Sequence, residues 1–288
     1  MKMKKFLNKF YKNSEKIISD SGIGKYKTVQ KGGRWIRSLL KSNFVEIEGH
    51  KMYLDPLDSL KLSINKSYEE FETKLVKDII KDGNIVVDIG ANIGYFTLIF
   101  ARLVGEKGKV FAFEPEPNNF NLLKKNIEIN GYKNVNLINK AVSNKSGKIK
   151  LYIDNVNYGG HSLIAEIPNR QSIEIESIKL DDFFSANKKI DFIKIDVEGA
   201  ELEVLKGMSN LLNQKDDIKI LLEFNPLMLK SFGVTTQEYV NLLIRFNFKI
   251  YELDKKTENL KQIKSQHDLT KIKLGNWINL LCIKSNLK

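Results

Sequence analysis

The sequence predicts an α/β fold: a doubly wound, mostly parallel sheet covered by helices on both faces and closed by an antiparallel strand near the C-terminus. Three observations carry this. Short apolar runs at 85–89, 109–113 and 192–195 are each followed by a helical pattern, and strands buried on both faces belong to parallel sheets with crossover helices. The first run passes directly into a turn with glycines four residues apart, Gly90 and Gly94, as expected where a strand delivers ligand-binding groups to a sheet edge. The final apolar runs, 248–251 and 278–283, read as a closing strand pair.

The elements follow in chain order. Residues 1–41 hold twelve Lys or Arg against two acids, so this segment carries +10 of the net +12 and the other 247 residues only about +2. Phe6, Leu7, Phe10, Tyr11, Ile17 and Ile18 approximate a helical stripe between the lysines. Such a basic helix either packs on the core with a solvated charged face or attaches to an anionic membrane surface or acidic partner. Asn8, Lys9 and Lys12 interrupt what would be the apolar stretch of a signal peptide, and no run approaches the ~20 residues of a membrane span. Cys282 is the single cysteine, so no disulfide forms within the chain, and a cytoplasmic location is expected, with peripheral contact at the inner membrane surface through residues 1–41 as an added option. The partition is a basic N-terminal extension, 1–43, and one domain, 44–288.

Residues 44–54 alternate around Glu48-Gly49-His50 and predict a β-hairpin, with His50 solvated in its turn. A helix over 70–81 stops at Asp82-Gly83-Asn84. Strands at 85–89, 109–113 and 135–138 alternate with helices at 95–103 and 118–129. Two β-rich stretches, 148–153 and 172–178, precede the strand at 192–195, a helix at 200–206, a strand at 218–223 and a helix at 237–245. Cys282 reads as buried packing, Trp35 and Trp277 as ordinary packing with stacking on a sugar as the alternative, and His267 as solvated in a polar stretch.

The strongest chemical signal is Val86-Val87-Asp88-Ile89-Gly90-Ala91-Asn92-Ile93-Gly94. The strand delivers Asp88 to its carboxyl end, and the glycines permit a tight turn into the next helix. Glu114 ends the next strand, 20 residues after Gly94, where an acid accepts both hydroxyls of a ribose. Dinucleotide loops crowd three glycines so that the backbone meets a pyrophosphate. This loop lacks that spacing, and Asp88 would repel a pyrophosphate but attract the ammonium and sulfonium of S-adenosylmethionine.

DIGANIGYFT, FAFEPEPNNF, LDDFF and IKIDVEGAELEVLKG, in that order over about residues 44–250, resemble the FkbM-type family of class I, Rossmann-like S-adenosylmethionine-dependent methyltransferases. The resemblance implies O-methylation, often of a sugar hydroxyl in a glycan, glycolipid or polyketide-type metabolite. It also implies that Asp88, Gly90, Asn92 and Gly94 line the methionine end of the cofactor, that Glu114 holds the ribose, and that Pro115, Ala141 and Val142 border the adenine.

Asp196 and Glu198 follow the strand at 192–195 and should sit at the sheet's carboxyl edge, Asp196 facing the cofactor methyl. Asp196 is a candidate for orienting the acceptor hydroxyl, for general base work, or for binding a divalent metal with Glu198 or Glu223; helix capping is its plain structural use. A metal is not favoured. His161, on the glycine-flanked loop 158–162, and Glu223, ending the strand at 218–223, are further candidate bases. Acceptor specificity is expected from 158–162, from 164–170 and from the C-terminal third.

Two other interpretations compete. An RNA methyltransferase on the same fold suits the basic N-terminus and the helix end Asn126–Asn130, but the near-neutral remainder and the lack of an aromatic RNA platform oppose it. A cofactor-binding module without turnover is opposed by the presence of both Asp196 and Glu198.

Overall fold

The computed structural model describes residues 44–65, 67–154, 157–164, 170–185, 188–214, 217–265, 268–269, 272 and 276–284. The basic extension with Trp35, most of the 164–170 stretch and His267 lie outside the described residues.

β1 (Phe44–Ile47) and β2 (His50–Tyr53) form the hairpin. Its turn is Glu48-Gly49 alone, so His50 begins β2 and points inward instead of into solvent. It is buried, with Nε2 2.7 Å from the Tyr132 hydroxyl, and burial, aided by Arg102, lowers its pKa to about 4. α1 (Glu70–Ile79) follows.

The main sheet starts with β3 (Ile85–Ile89), α2 (Tyr95–Val104), β4 (Lys109–Phe113), α3 (Pro117–Ile129) and β5 (Val135–Ile138). It resumes with β9 (Phe192–Ile195), α5 (Glu201–Lys206), α6 (Ser209–Gln214), β10 (Lys219–Phe224), α7 (Pro226–Ser231), α8 (Thr236–Arg245), β11 (Phe248–Asp254), β12 (Asn259–Ile263) and β13 (Ile278–Lys284). The strand order is β12-β11-β13-β10-β9-β3-β4-β5. β10 through β5 are parallel; β13, β11 and β12 join antiparallel. The closing pair predicted from sequence is thus extended by a third strand.

The β-rich stretches leave this sheet. β6 (Ala141–Val142), β7 (Gly147–Tyr152) and β8 (Ser172–Ile178) form their own three-stranded sheet, order β6-β8-β7, before the short α4 (Leu180–Phe183) returns the chain to β9.

Side chains alternate across each strand, so the sheet has two cores. Val86, Ala112 and Leu221 pack with Val76, Leu98 and Leu123 from α1, α2 and α3. Val87, Ile193 and Leu222 pack with Leu205, Leu212 and Tyr239 from α5, α6 and α8. Each Val, Leu or Ile side chain of these sets contributes ~1.5–3 kcal/mol when fully buried. Cys282 is buried in the second core as a packing residue. The hairpin is fixed to α3 by asparagines. Asn126 receives the Tyr53 N–H and donates to the Tyr53 and Ile93 carbonyls, and Asn130 pairs both ways with the Lys51 backbone. Their polar groups therefore hold the hairpin against α3. Among the described residues no helix is long and apolar enough to cross a membrane.

Candidate active site

The carboxyl ends of β3, β4 and β9 border a cavity of about 210 Å³. Asp88, Gly90 and Asn92 line it from β3 and the turn after it, Glu114 and Pro115 from β4, and Asp196 and Glu198 from β9. Ala141 and Val142 of β6 and His161 complete the predicted set. Gly94 and Glu223 are absent from this wall. Gly94 precedes α2 at φ 95°, and an added Cβ would lie 2.6 Å from Leu123 Cδ1; it serves helix-to-helix packing behind the cavity. Glu223 sits beyond Asp196 in a separate narrow crevice.

The glycine turn does more than meet a ligand. A Cβ on Gly90 would stand 1.8 Å from the Asp196 carbonyl oxygen, so the missing side chain lets the β9 exit loop close against the β3 exit loop. The Asp196 N–H donates to the Ile89 carbonyl at 3.0 Å, and the Gly90 and Ala91 N–H groups to that of Phe113. Asn92 and Glu198, both non-glycine, hold left-handed backbone at φ 52°, a conformation that persists where surrounding contacts fix it.

Buried carboxylates dominate the electrostatics. Asp88 Oδ2 accepts from Thr97 Oγ1 at 2.5 Å; burial, opposed by Lys194, raises the carboxyl to about 6. Glu114 accepts the N–H groups of Asn92 (2.8 Å) and Glu116 (2.9 Å), and burial pushes it up to about 8 against these two bonds. Asp88 Oδ1, Asn119 Oδ1 and His161 Nε2 are buried and find no hydrogen-bond partner among the described residues, and all three residues line the cavity. Unpaired buried polar atoms carry a desolvation cost that a ligand relieves.

His161, a candidate base from sequence, lines the cavity with one ring nitrogen already engaged. Its Nδ1 accepts the Asp154 N–H at 3.0 Å, so the neutral ring carries its proton on Nε2. The lone pair a base needs is occupied, and what remains is a hydrogen-bond donor. Burial lowers the pKa from 6.5, keeping the ring neutral. The loop is also tied down. Arg170 donates to the Gly160 and Ile153 carbonyls and pairs with Asp154 at 3.2 Å, and Asn119 Nδ2 donates to the Tyr158 carbonyl.

Asp196 is not a helix cap: Ala200 caps α5, with no side-chain bond. It pairs with Lys194, whose Nζ lies 2.8 Å from Oδ2 and 4.7 Å from the Phe96 ring centroid. Lys194 lines the cavity but was not singled out from the sequence, although a lysine inside the buried run FIKI was a visible signal. Burial works against its charge, but Asp196, Glu69 and Asp88 outweigh it and hold the ammonium above the usual lysine range. Tyr68, also missed, lines the cavity next to Glu69, and burial among the acids keeps its phenol protonated. Glu69, Glu223 and Glu201 are raised by burial, with repulsion from Asp196 added in each case, to about 7, 9 and 7. Among the described residues no three acids, histidines or cysteines are placed to hold a metal ion.

A parallel sheet whose strand ends present a glycine turn, an acid after the second strand and an acid pair after the fourth gathers ligand-binding groups at one edge, as doubly wound α/β folds do. The model of the methyltransferase FkbM domain matches residues 88–250, more than half of the chain, and the chain belongs to that family. Methyltransferase 1 of Beauveria bassiana is 25% identical over 182 residues, 55% of this chain and 72% of its own. The hexuronic acid methyltransferase AglP of Haloferax volcanii is 31% identical over 146 residues, 50% of this chain; the match spans 58% of the relative. A solved FkbM methyltransferase from Methylobacillus flagellatus aligns at 14% identity with a TM-score of 0.44, covering 79% of this chain and 53% of that one.

Proposed function

We propose that this methyltransferase moves a methyl group from S-adenosylmethionine to a hydroxyl of a sugar in a glycan, glycolipid or related metabolite. One observation carries the cofactor assignment. Three buried, unpaired polar atoms, Asp88 Oδ1, Asn119 Oδ1 and His161 Nε2, face one cavity with Glu114 between them in the chain, and their chemistry fits a cationic amino acid joined to a nucleoside. Asp88 and Asn92 hold the methionine end, Glu114 accepts from the ribose diol, and Asn119 and His161 offer an acceptor and a donor to the base beside Pro115, Ala141 and Val142. Bound there, S-adenosylmethionine supplies a methyl group on a sulfonium, a strong electrophile with a good leaving group.

The chain's own residues do the rest. Lys194 occupies Asp196 Oδ2 and leaves Oδ1 to receive the acceptor hydroxyl's hydrogen. Asp196, with Glu198 beside it, orients the oxygen and takes its proton as the new O–C bond forms, so positioning and base work coincide. His161 and Glu223 take no part in that proton transfer: one presents a donor and the other lies outside the cavity. The hexuronic acid methyltransferase among the relatives supports a sugar acceptor. Calorimetric titration with S-adenosylmethionine and S-adenosylhomocysteine tests the reading. Glu114→Ala should weaken both ligands by at least about tenfold, the loss of one charged hydrogen bond. A well-folded wild type that binds neither ligand sinks the assignment.

A further inference from the structure

Sequence favours ordinary packing for Trp277, yet the residue is 45% exposed. Its position is specific. Phe224, the last residue of β10, pairs with Ile278 of β13, so Trp277 stands at the same carboxyl edge as Asp196. β13 is two strands from β9, about 10 Å at ordinary strand spacing, the scale of a disaccharide.

The ground between them is polar and partly unsatisfied. A crevice of about 10 Å³ runs from Asp196 past Glu69, Glu223 and Glu72 to Asn279, room for one water or hydroxyl. Glu72 is 1% exposed. Its Oε1 is held by Lys255 at 2.8 Å and by Asn279 Nδ2, whereas Oε2 has no partner among the described residues. Lys255 Nζ lies 4.3 Å from the Trp277 ring centroid and fixes the indole from one side. A buried acceptor in need of a donor, next to a pre-oriented exposed indole, suits a polyol with an apolar ring face. The excess of carboxylates disfavours an anionic sugar.

Resting on the methyltransferase reading above, we infer that Trp277 is the platform of a second acceptor subsite, which stacks an uncharged pyranose ring next to the sugar that is methylated. Glu72 and Asn279 at the crevice floor receive and supply hydrogen bonds to its hydroxyls, and Lys255 keeps the indole facing outward. The acceptor is then an oligosaccharide or glycoconjugate rather than a free monosaccharide.

The test is retention of the full-length chain on an array of neutral hexose, N-acetylhexosamine and uronic-acid oligosaccharides, with S-adenosylmethionine titrated into the same preparations. Wild type should retain neutral oligosaccharides. Trp277→Ala should lose about threefold to tenfold of that affinity, the worth of one aromatic contact, while Trp277→Phe keeps most of it. Cofactor affinity should be equal in all three, which also shows that the variants fold. Equal retention by Trp277→Ala, retention of uronic-acid glycans only, or an empty array with wild type overturns the inference. Failure of all three proteins to bind S-adenosylmethionine instead overturns the cofactor reading and leaves the array to decide the subsite.

Discussion

Replacing Lys194 with methionine removes one charge from the middle of the sheet and keeps the alkyl stem. The ammonium lies 2.8 Å from Asp196 Oδ2, with the lysine side chain 6% exposed and that of Asp196 31% exposed. It also opposes the rise that burial imposes on Asp88 and Glu69. Breaking a buried pair from one side costs about 3–5 kcal/mol. Asp196 keeps partial contact with water, so the lower end applies, about 3 kcal/mol, or roughly 6–12 °C in melting temperature. The sign of the pH dependence follows from the acids. Asp88 and Glu69 titrate at about 6 and about 7 in the folded chain, above their unfolded values. Folding therefore takes up protons, and stability falls as pH rises through that window. Loss of Lys194 raises both acids further and steepens the fall. The lysine's own proton stays bound throughout, since its folded value is raised. The deficit should be smaller near pH 5, where Asp88 and Glu69 are largely protonated in the folded chain and only the broken Asp196 pair remains, and larger near pH 8. Urea unfolding at both pH values measures it. A deficit below about 1 kcal/mol near pH 8, or one that does not change with pH, refutes the reasoning.

Three other outcomes follow from the geometry. S-adenosylmethionine affinity should weaken as pH falls through about 6, because Asp88 must shed its proton to pair with a cation; titration at several pH values should show that dependence flattened in Asp88→Asn. Nitrogen-15 NMR should find His161 neutral at pH 6.5 with its proton on Nε2, and a cationic ring or an Nδ1–H tautomer there contradicts the donor role. Gly90→Ala should be far worse than Gly83→Ala or Gly131→Ala in thermal unfolding. All three glycines have φ between 75° and 81°, but only at Gly90 does the new Cβ meet backbone, at 1.8 Å. The two open sites should each lose about 1–2 kcal/mol from left-handed strain alone, and a Gly90 variant no worse than these contradicts the clamp between the two strand exits.

Much of the fold was legible because the parallel strands are short, apolar and stopped by polar turns. β3, β4, β5, β8 and β9 begin and end where the pattern of the sequence places them. Elements defined by tertiary contact were not. β6 is two residues long and exists only by pairing with β8. α7 starts from an Asn225 cap and Pro226, a local signal passed over because the six-residue helix is too short to show periodicity. His50 was misplaced by one turn residue, which was enough to exchange solvent for core. Of the site, the residues next to strand ends were legible, because sheet topology alone brings strand ends together. Tyr68, Glu69 and Glu72 were not, since they reach Asp196 and Asn279 from the start of a helix far away in sequence, and only packing reveals that approach.

The same atoms hold the site together and shape it. The Asp196 carbonyl that excludes a side chain from Gly90 belongs to the residue whose carboxylate Lys194 orients. The Asn92 N–H that fixes Glu114 comes from a residue with left-handed backbone in the glycine turn, and the Gly199 N–H after the equally strained Glu198 is received by Glu201. The strained Asn92 is thus held by the neighbouring strand's Glu114, the residue after Glu198 is held by the helix that follows, and the two turns are pinned to each other through backbone. Such clamping lowers the reorganisation needed to position reacting groups. It also explains why a change at Gly90, which carries no functional side chain, should disturb the catalytic edge more than the loss of a single carboxylate that only touches the ligand.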